Sequence, residues 1–186
     1  MKTIEQPTSE TVPSYSVRAI LLFKKILLIT LTLWLIVTIL RFFFIGVSRV
    51  NGPSMEPTLK DDDFIIFEKI SYYTHPPKRF DIVELINPEH SQFLVKRIIG
   101  LPGERVAIKN GFVFISSSST PEFQLAEPYL KSDTLTTVHN STEDFSTSLN
   151  QHEFFVLGDN RLLSTVDSRA FGAIHDSHII GRVLKE

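Results

Sequence analysis

Fifteen consecutive residues without a charge, Ile26 to Leu40, constrain this chain more than any other feature. Arg41 follows, and the apolar run then resumes from Phe42 to Val47. Counted through the arginine, the segment holds 22 residues, about 33 Å as a helix, enough to cross the hydrocarbon of a bilayer. Nearly every helical face is apolar, unlike a helix that packs one side on a soluble core. Arg41 lies near the far end, where it can snorkel toward headgroups beside Phe42, Phe43 and Phe44. A cleaved leader is the competing reading, because Gly46-Val47-Ser48 offers small residues at a suitable spacing. The run exceeds the usual core of such a leader, about 7–15 residues, and Arg41 interrupts it, so a retained anchor is expected. Arg18, Lys24 and Lys25 precede the span, whereas Arg49 is the nearest cation after Arg41. The positive-inside rule then puts the N-terminus in the cytoplasm. The expected division is a disordered cytoplasmic tail over 1–17, an anchor with flanks over 18–48 and an extracytoplasmic domain over 49–186.

That domain reads as mostly β. Phe64 to Phe67, Asp81 to Ile86, Gln92 to Ile99, Phe154 to Leu157 and His178 to Leu184 are short runs rich in β-branched and aromatic residues, and none has a helical period. The firmest local signal is a hairpin: Val106 to Lys109 and Phe112 to Ile115 flank Asn110-Gly111, the pair a type I′ turn demands. Ser116 to Asn150 differs in kind, with 14 Ser or Thr among 35 residues, and reads as an excursion of loops with at most a weak hairpin. Residues 49–186 hold 14 Lys/Arg against 19 Asp/Glu, a balance that argues against a nucleic-acid partner. The chain has no Cys, which excludes disulfides, thiolate catalysis, cysteine-built zinc sites and a lipidated cysteine.

Chemistry concentrates just beyond the anchor, in Asn51-Gly52-Pro53-Ser54-Met55-Glu56-Pro57-Thr58-Leu59. Pro53 fixes its own φ and Pro57 pushes Glu56 toward extended backbone, so an extended loop is expected there. Such a loop can present both the hydroxyl and the backbone N–H of Ser54, the two groups acyl transfer uses. Ser54 as a simple turn residue is the alternative. A serine nucleophile needs a base. In Gln92 to Ile99, strand alternation puts Leu94, Lys96 and Ile98 on one face and Val95, Arg97 and Ile99 on the other. Lys96 thus sits among apolar neighbours, and burial would lower its pKa toward the range where a neutral amine accepts a proton. A half-exposed strand from which Lys96 and Arg97 snorkel is the alternative. The six histidines, His75, His90, His139, His152, His175 and His178, lie mostly in polar or turn contexts with no metal-ligand spacing, and none is singled out as a rival base.

Three motifs carry a family resemblance. Ser54-Met55-Glu56-Pro57-Thr58-Leu59, shortly after an anchor, resembles the nucleophile box of bacterial type I signal peptidases, membrane-bound Ser/Lys endopeptidases that release exported proteins from their leaders. Lys96-Arg97-Ile98-Ile99-Gly100-Leu101-Pro102-Gly103-Glu104 resembles that family's lysine box. Gly158-Asp159-Asn160-Arg161, with Ser164 and then Asp167-Ser168-Arg169, is similar to its last signature. Weaker similarities at Asp81-Ile82-Val83, Glu127-Pro128-Tyr129-Leu130 and Ile179-Ile180-Gly181-Arg182 keep the same order. The resemblance implies Ser54 as nucleophile and Lys96 as general base. It implies that Ser164 hydrogen-bonds the lysine amine, that Asp167 and Arg169 brace the site, and that Asp159 and Asn160 hold the turn carrying them. It also implies a mostly antiparallel β fold in the bacterial cell membrane, with an apolar surface resting on lipid, as in the short Gram-positive members. The implied substrates are secretory preproteins with small residues at −1 and −3, received in shallow apolar pockets as an added strand. No metal or organic cofactor is implied.

Three positions depart from the family pattern. Five residues, Leu162 to Val166, separate Arg161 from Asp167 where four are common, so that if Ser164 is in register with Lys96, Asp167-Ser168-Arg169 must absorb a one-residue bulge. Phe80 stands where Gly often precedes Asp-Ile-Val, and Gly52 where some members have an oxyanion-binding serine. Two other classes fit less of the chain: a self-cleaving Ser/Lys regulator, which needs no anchor beside its nucleophile, and an anchored non-catalytic relative.

Overall fold

A computed structural model describes residues 14–131, 134–138 and 144–184. The sequence expectation for residues 1–13 and the rival base His139 therefore lie outside the described residues. The chain divides into two units, Met1–Phe43 and Phe44–Glu186.

The first unit is one helix, α1, running Ser14–Phe44. Its apolar span Val17–Ile39 has 23 residues, about 34 Å at the helical rise. Every described side chain of that span is exposed. Within this helix Leu, Ile, Val and Trp are exposed on all sides, and a bilayer is a medium that covers such a surface. The helix begins at Ser14, inside the stretch expected to be tail, and it runs through Lys24 and Lys25, because lysine and arginine are good helix formers. It also ends before the expected boundary. Ile45–Arg49 forms β1, whose backbone groups are satisfied in a ladder with Phe64–Glu68.

The second unit is built from antiparallel strands: β1; β2 Phe64–Glu68; β3 Ile82–Ile86; β4 Phe93–Gly100; β5 Glu104–Lys109; β6 Phe112–Ser117; β7 Phe123–Gln124; β8 Phe145–Ser148; β9 Glu153–Leu157; β10 Ile174–His175; and β11 Ile179–Leu184. Seven strands make one sheet in the order β1-β2-β11-β3-β4-β9-β10, and four make a second in the order β7-β6-β5-β8. The mostly β expectation holds. Two single-turn helices, α2 Ser71–Thr74 and α3 Ser168–Phe171, were not expected. In α3 the signal was present: Asp167 caps it by accepting from the Arg169 N–H, and Gly172 closes it.

The β5–β6 hairpin forms as its turn residues require, with Lys109 opposite Phe112 and positive φ at both Asn110 and Gly111. Its alternation buries Val106 and Ile108 against Val113 and Ile115, in a cluster that includes Phe155 and Leu157 of β9. Gluing the small sheet to β9 in this way fixes where the chain after Leu157 emerges, beside Arg97 in the middle of β4. A second cluster joins Met55 and Leu59 to Ile65, Phe67, Ile82 and Val183, and so anchors the segment between β1 and β2. The Ser/Thr-rich excursion is more ordered than expected, since β7 pairs with β6 and β8 with β5.

Candidate active site

Ser54 lies in the connection from β1 to β2. That loop is closed at its base by Val50 N–H to Asp63 O (2.8 Å) and Asp62 N–H to Val50 O (3.0 Å). Met55 and Leu59 are buried and pin its middle to the sheet, so the neighbouring Ser54 cannot wander. The expected extended loop needs correction here. Pro53–Met55 make one turn of 3₁₀ helix, with proline at the first position where its missing N–H costs nothing. Glu56, which precedes Pro57, is extended, at φ −65° and ψ 146°. Gly52 enters the turn at φ +86°, and its N–H donates to Asp61 Oδ1 at 2.7 Å. Among the described residues no acceptor takes the Ser54 N–H.

Lys96 reaches Ser54 from β4, with its Nζ donating to Ser54 Oγ at 2.7 Å. The alternative of a snorkelling pair fails for both residues, because Lys96 is 2% exposed and Arg97 is 8% exposed. Burial pulls the Lys96 pKa down to about 8, while Asp167 raises it, Arg169 lowers it and Asp159 raises it by smaller amounts. A neutral amine this close to a hydroxyl can accept its proton. No histidine among the described residues hydrogen-bonds Ser54. The fold does gather His152, His175 and Asp176 on the surface, with both imidazoles 2.9 Å from the carboxylate, but none of the three bonds to Ser54 or Lys96.

The chain after β9 braces this pair. Ser54 O accepts from the Asn160 N–H at 3.0 Å, and Asn160 O accepts from the Ser164 N–H at 2.8 Å. Asn160 thus links the Ser54 carbonyl to Ser164 through its backbone. Asp159 does something else: it takes two bonds from Arg97, at 2.8 and 2.5 Å, and both groups are buried. Gly158 is needed where it stands, since a Cβ there would meet Ser164 Oγ at 2.3 Å and Ser54 O at 2.5 Å.

Ser164 is buried, but its hydroxyl donates to Asp167 Oδ2 at 2.7 Å and makes no hydrogen bond to Lys96. The implied Ser164–Lys96 bond is therefore replaced by a chain from Ser164 to Asp167. Asp167 is fully buried, and burial alone would push its carboxyl up. Arg169 and Ser164 hold it below the usual carboxylate range. Arg169 donates twice to Asp167 (2.9 and 2.7 Å) and also to the carbonyls of Thr137, Arg161 and Ser164. Between Arg161 and Asp167 the chain turns outward, with Leu162 70% and Leu163 57% exposed while Arg161, Ser164 and Asp167 stay buried.

Sequence reasoning did not foresee the partners of Arg161, which donates to Glu127, Tyr129, Thr136 and Gly158 O. Tyr129 also lies under the Arg97 guanidinium, 4.0 Å from ring centroid to Cζ. The weak Glu127-Pro128-Tyr129 similarity was the one available pointer. Phe80 has φ +73°, the left-handed region that glycine occupies freely, which accounts for a glycine being common there. Its carbonyl accepts from Arg97 at 2.9 Å.

A family model described as signal peptidase, peptidase S26, matches residues 23–185. Signal peptidase I of Bacillus caldolyticus is 36% identical over 156 residues, covering 80% of this chain and 82% of that protein. Signal peptidase I V of Bacillus subtilis is 36% identical over 141 residues, covering 72% and 80%. A crystal structure of a signal peptidase I from Enterococcus faecalis aligns at 33% identity and a TM-score of 0.48, over 60% of this chain and 98% of that one.

Proposed function

This chain belongs to the signal peptidase I family of serine peptidases, peptidase S26, and from that premise we propose that Ser54 and Lys96 are the dyad with which it cuts leader peptides from secretory preproteins. The observation that carries the assignment is the 2.7 Å contact between a serine hydroxyl and a buried lysine whose pKa is drawn down to about 8. Lys96, as the neutral amine, takes the Ser54 proton while Oγ attacks the carbonyl of the −1 residue. The Ser54 N–H, free of an internal acceptor, stabilises the oxyanion. The Gly52 N–H is already committed to Asp61 and adds nothing to that hole. Lys96 then protonates the leaving amine, an ester forms on Ser54, and the amine next activates the water that releases the leader.

The substrate enters as an extended strand. β9 pairs with β4 only from Arg97 onward, so Phe93 to Lys96 are paired on the β3 side alone and offer backbone groups to an added strand. A small cleft beside Ser54 and Lys96 receives the side chains at −1 and −3. The exposed apolar residues Val47, Phe64, Ile66 and Phe93 form a surface that rests on lipid. α1 anchors the protein in the membrane, with the N-terminus cytoplasmic and the β domain outside, by the bias of Arg18, Lys24 and Lys25.

The test is cleavage of a preprotein with Ala at −3 and −1 by the full-length protein in detergent, with the product N-terminus sequenced. The parent should cut after −1, and Lys96→Ala and Lys96→Arg should both be inactive, because arginine stays charged. Cutting by Lys96→Arg would end the neutral-lysine mechanism, and no cutting by the parent would end the dyad assignment.

A further inference from the structure

The cleft at Ser54 departs from the uniformly apolar pockets that the family resemblance implied. Val50, Met55, Leu94 and Val95 give it apolar walls, but Ser48 of β1 and Glu84 of β3 line it too. Glu84 stands directly opposite Val95, one residue from Lys96, and is 3% exposed. The other buried acids of this region have arginine partners, Asp159 with Arg97 and Asp167 with Arg169. Glu84 has none among the described residues, and it makes no hydrogen bond to Ser54 or Lys96. Burial pushes its carboxyl above the usual range, against smaller opposing pulls from the Ser48 hydroxyl and Lys69. Strand formation does not call for an acid here, since Val83 and Leu85 on either side are fully buried aliphatics. A buried carboxyl that lines a cleft, with the Ser48 hydroxyl as a donor and no arginine partner among the described residues, suits a ligand that brings a further donor with it.

An extended chain places the side chains of −1 and −3 on the same side, about 6.8 Å apart. With the −1 carbonyl at Ser54 Oγ, the −1 side chain lies against the dyad, and the −3 side chain lies one step along the cleft. We propose that Glu84 makes the −3 subsite selective for a small side chain that donates a hydrogen bond, threonine or serine, over its apolar counterpart, valine or alanine. The proposal rests on the dyad reading above. A hydroxyl at −3 donates to the carboxyl, whereas valine, of nearly the same shape, buries it with no donor beyond the Ser48 hydroxyl. The difference expected between threonine and valine is about tenfold in kcat/KM.

The experiment uses full-length protein in detergent and four preproteins that differ only at −3, carrying Thr, Val, Ser or Ala, with Ala at −1. The parent should favour Thr over Val about tenfold and Ser over Ala in the same sense. Glu84→Val should reverse the Thr/Val ratio, and Glu84→Gln, whose amide oxygen still accepts, should keep it in reduced form. A parent Thr/Val ratio near one overturns the proposal whether or not any variant folds. An unchanged ratio in folded Glu84→Val overturns it as well. If the parent cuts none of the four, the dyad reading itself has failed, whereas cutting all four equally removes only the role of Glu84.

Discussion

The pH dependence of turnover follows directly from the burial of Lys96. An ordinary lysine titrates near 10.4, so at pH 7 only about one amine in 2,500 is neutral. With the pKa drawn down to about 8, about one in eleven is neutral, a gain of about 200-fold in the reactive form. The same shift corresponds to about 3 kcal/mol by which the folded site disfavours the ammonium. The assay is kcat/KM for a peptide with no titrating side chain, measured from pH 6 to 10, because that ratio reports ionisation of the free enzyme. It should climb about tenfold per pH unit below pH 7.5 and level off with a midpoint near 8. A midpoint near 10 would mean that burial does not act on the amine in solution. A midpoint near 6.5 would move the base to a histidine, and a profile flat from pH 6 to 8 would refute proton transfer to Lys96.

The cost of that arrangement should appear in stability. Because the folded pKa of Lys96 is below the unfolded one, the unfolded chain binds more protons between about pH 8 and 10.4, and the penalty is full below pH 8 and absent above 10.4. Lys96→Met should therefore raise the unfolding free energy by up to about 3 kcal/mol at pH 7 and by much less at pH 10.5, read by denaturant titration in detergent; an equal gain at both pH values would contradict this. Gly158→Ala drives a methyl into Ser164 and the Ser54 carbonyl, and a displacement of that size should lower kcat about 100-fold with the chain still folded. At position 80, where φ is +73°, glycine should be more stable than alanine by about 1 kcal/mol, the reverse of their order at ordinary positions; thermal melts of Phe80→Gly and Phe80→Ala decide it.

What could be read from the chain was whatever short-range chemistry determines. Fifteen uncharged residues leave a helix few places to be except a membrane, and Asn110-Gly111 leaves a hairpin few other turns. The central strands showed because they are short runs rich in β-branched and aromatic residues. β1 did not, because Ile45-Gly46-Val47 continues the composition of the preceding helix, and only pairing with β2 makes it a strand. The Ser54 and Lys96 pairing was argued from their local settings and from motif order. The destinations of Asp159 and Arg161 were not legible, because they are settled by Arg97 on a distant strand and by groups of the Ser/Thr-rich excursion. Arg161 joins residues more than 30 positions away in Glu127 and Tyr129, and no periodicity encodes such a contact.

The partners of Asp159 and Asp167 explain how the pKa of a lysine stays low beside two buried acids. An unpaired carboxylate within reach would form an ion pair with Lys96 and raise its pKa, which is the sign of the influence that Asp167 and Asp159 do exert. Each of these acids is already claimed. Arg169 and Ser164 fill both oxygens of Asp167, and Arg97 takes both oxygens of Asp159. Each arginine presents a planar fork that binds its carboxylate at two points, so neither acid has an oxygen left for the lysine. The charge of Arg169 also acts on Lys96 directly, against that of Asp167. What remains for the amine is desolvation and one neutral hydroxyl, Ser54, the group whose proton it is proposed to take. In this arrangement the buried ion pairs serve the reactivity of the lysine by keeping the carboxylates occupied, a role distinct from any net stabilisation of the fold.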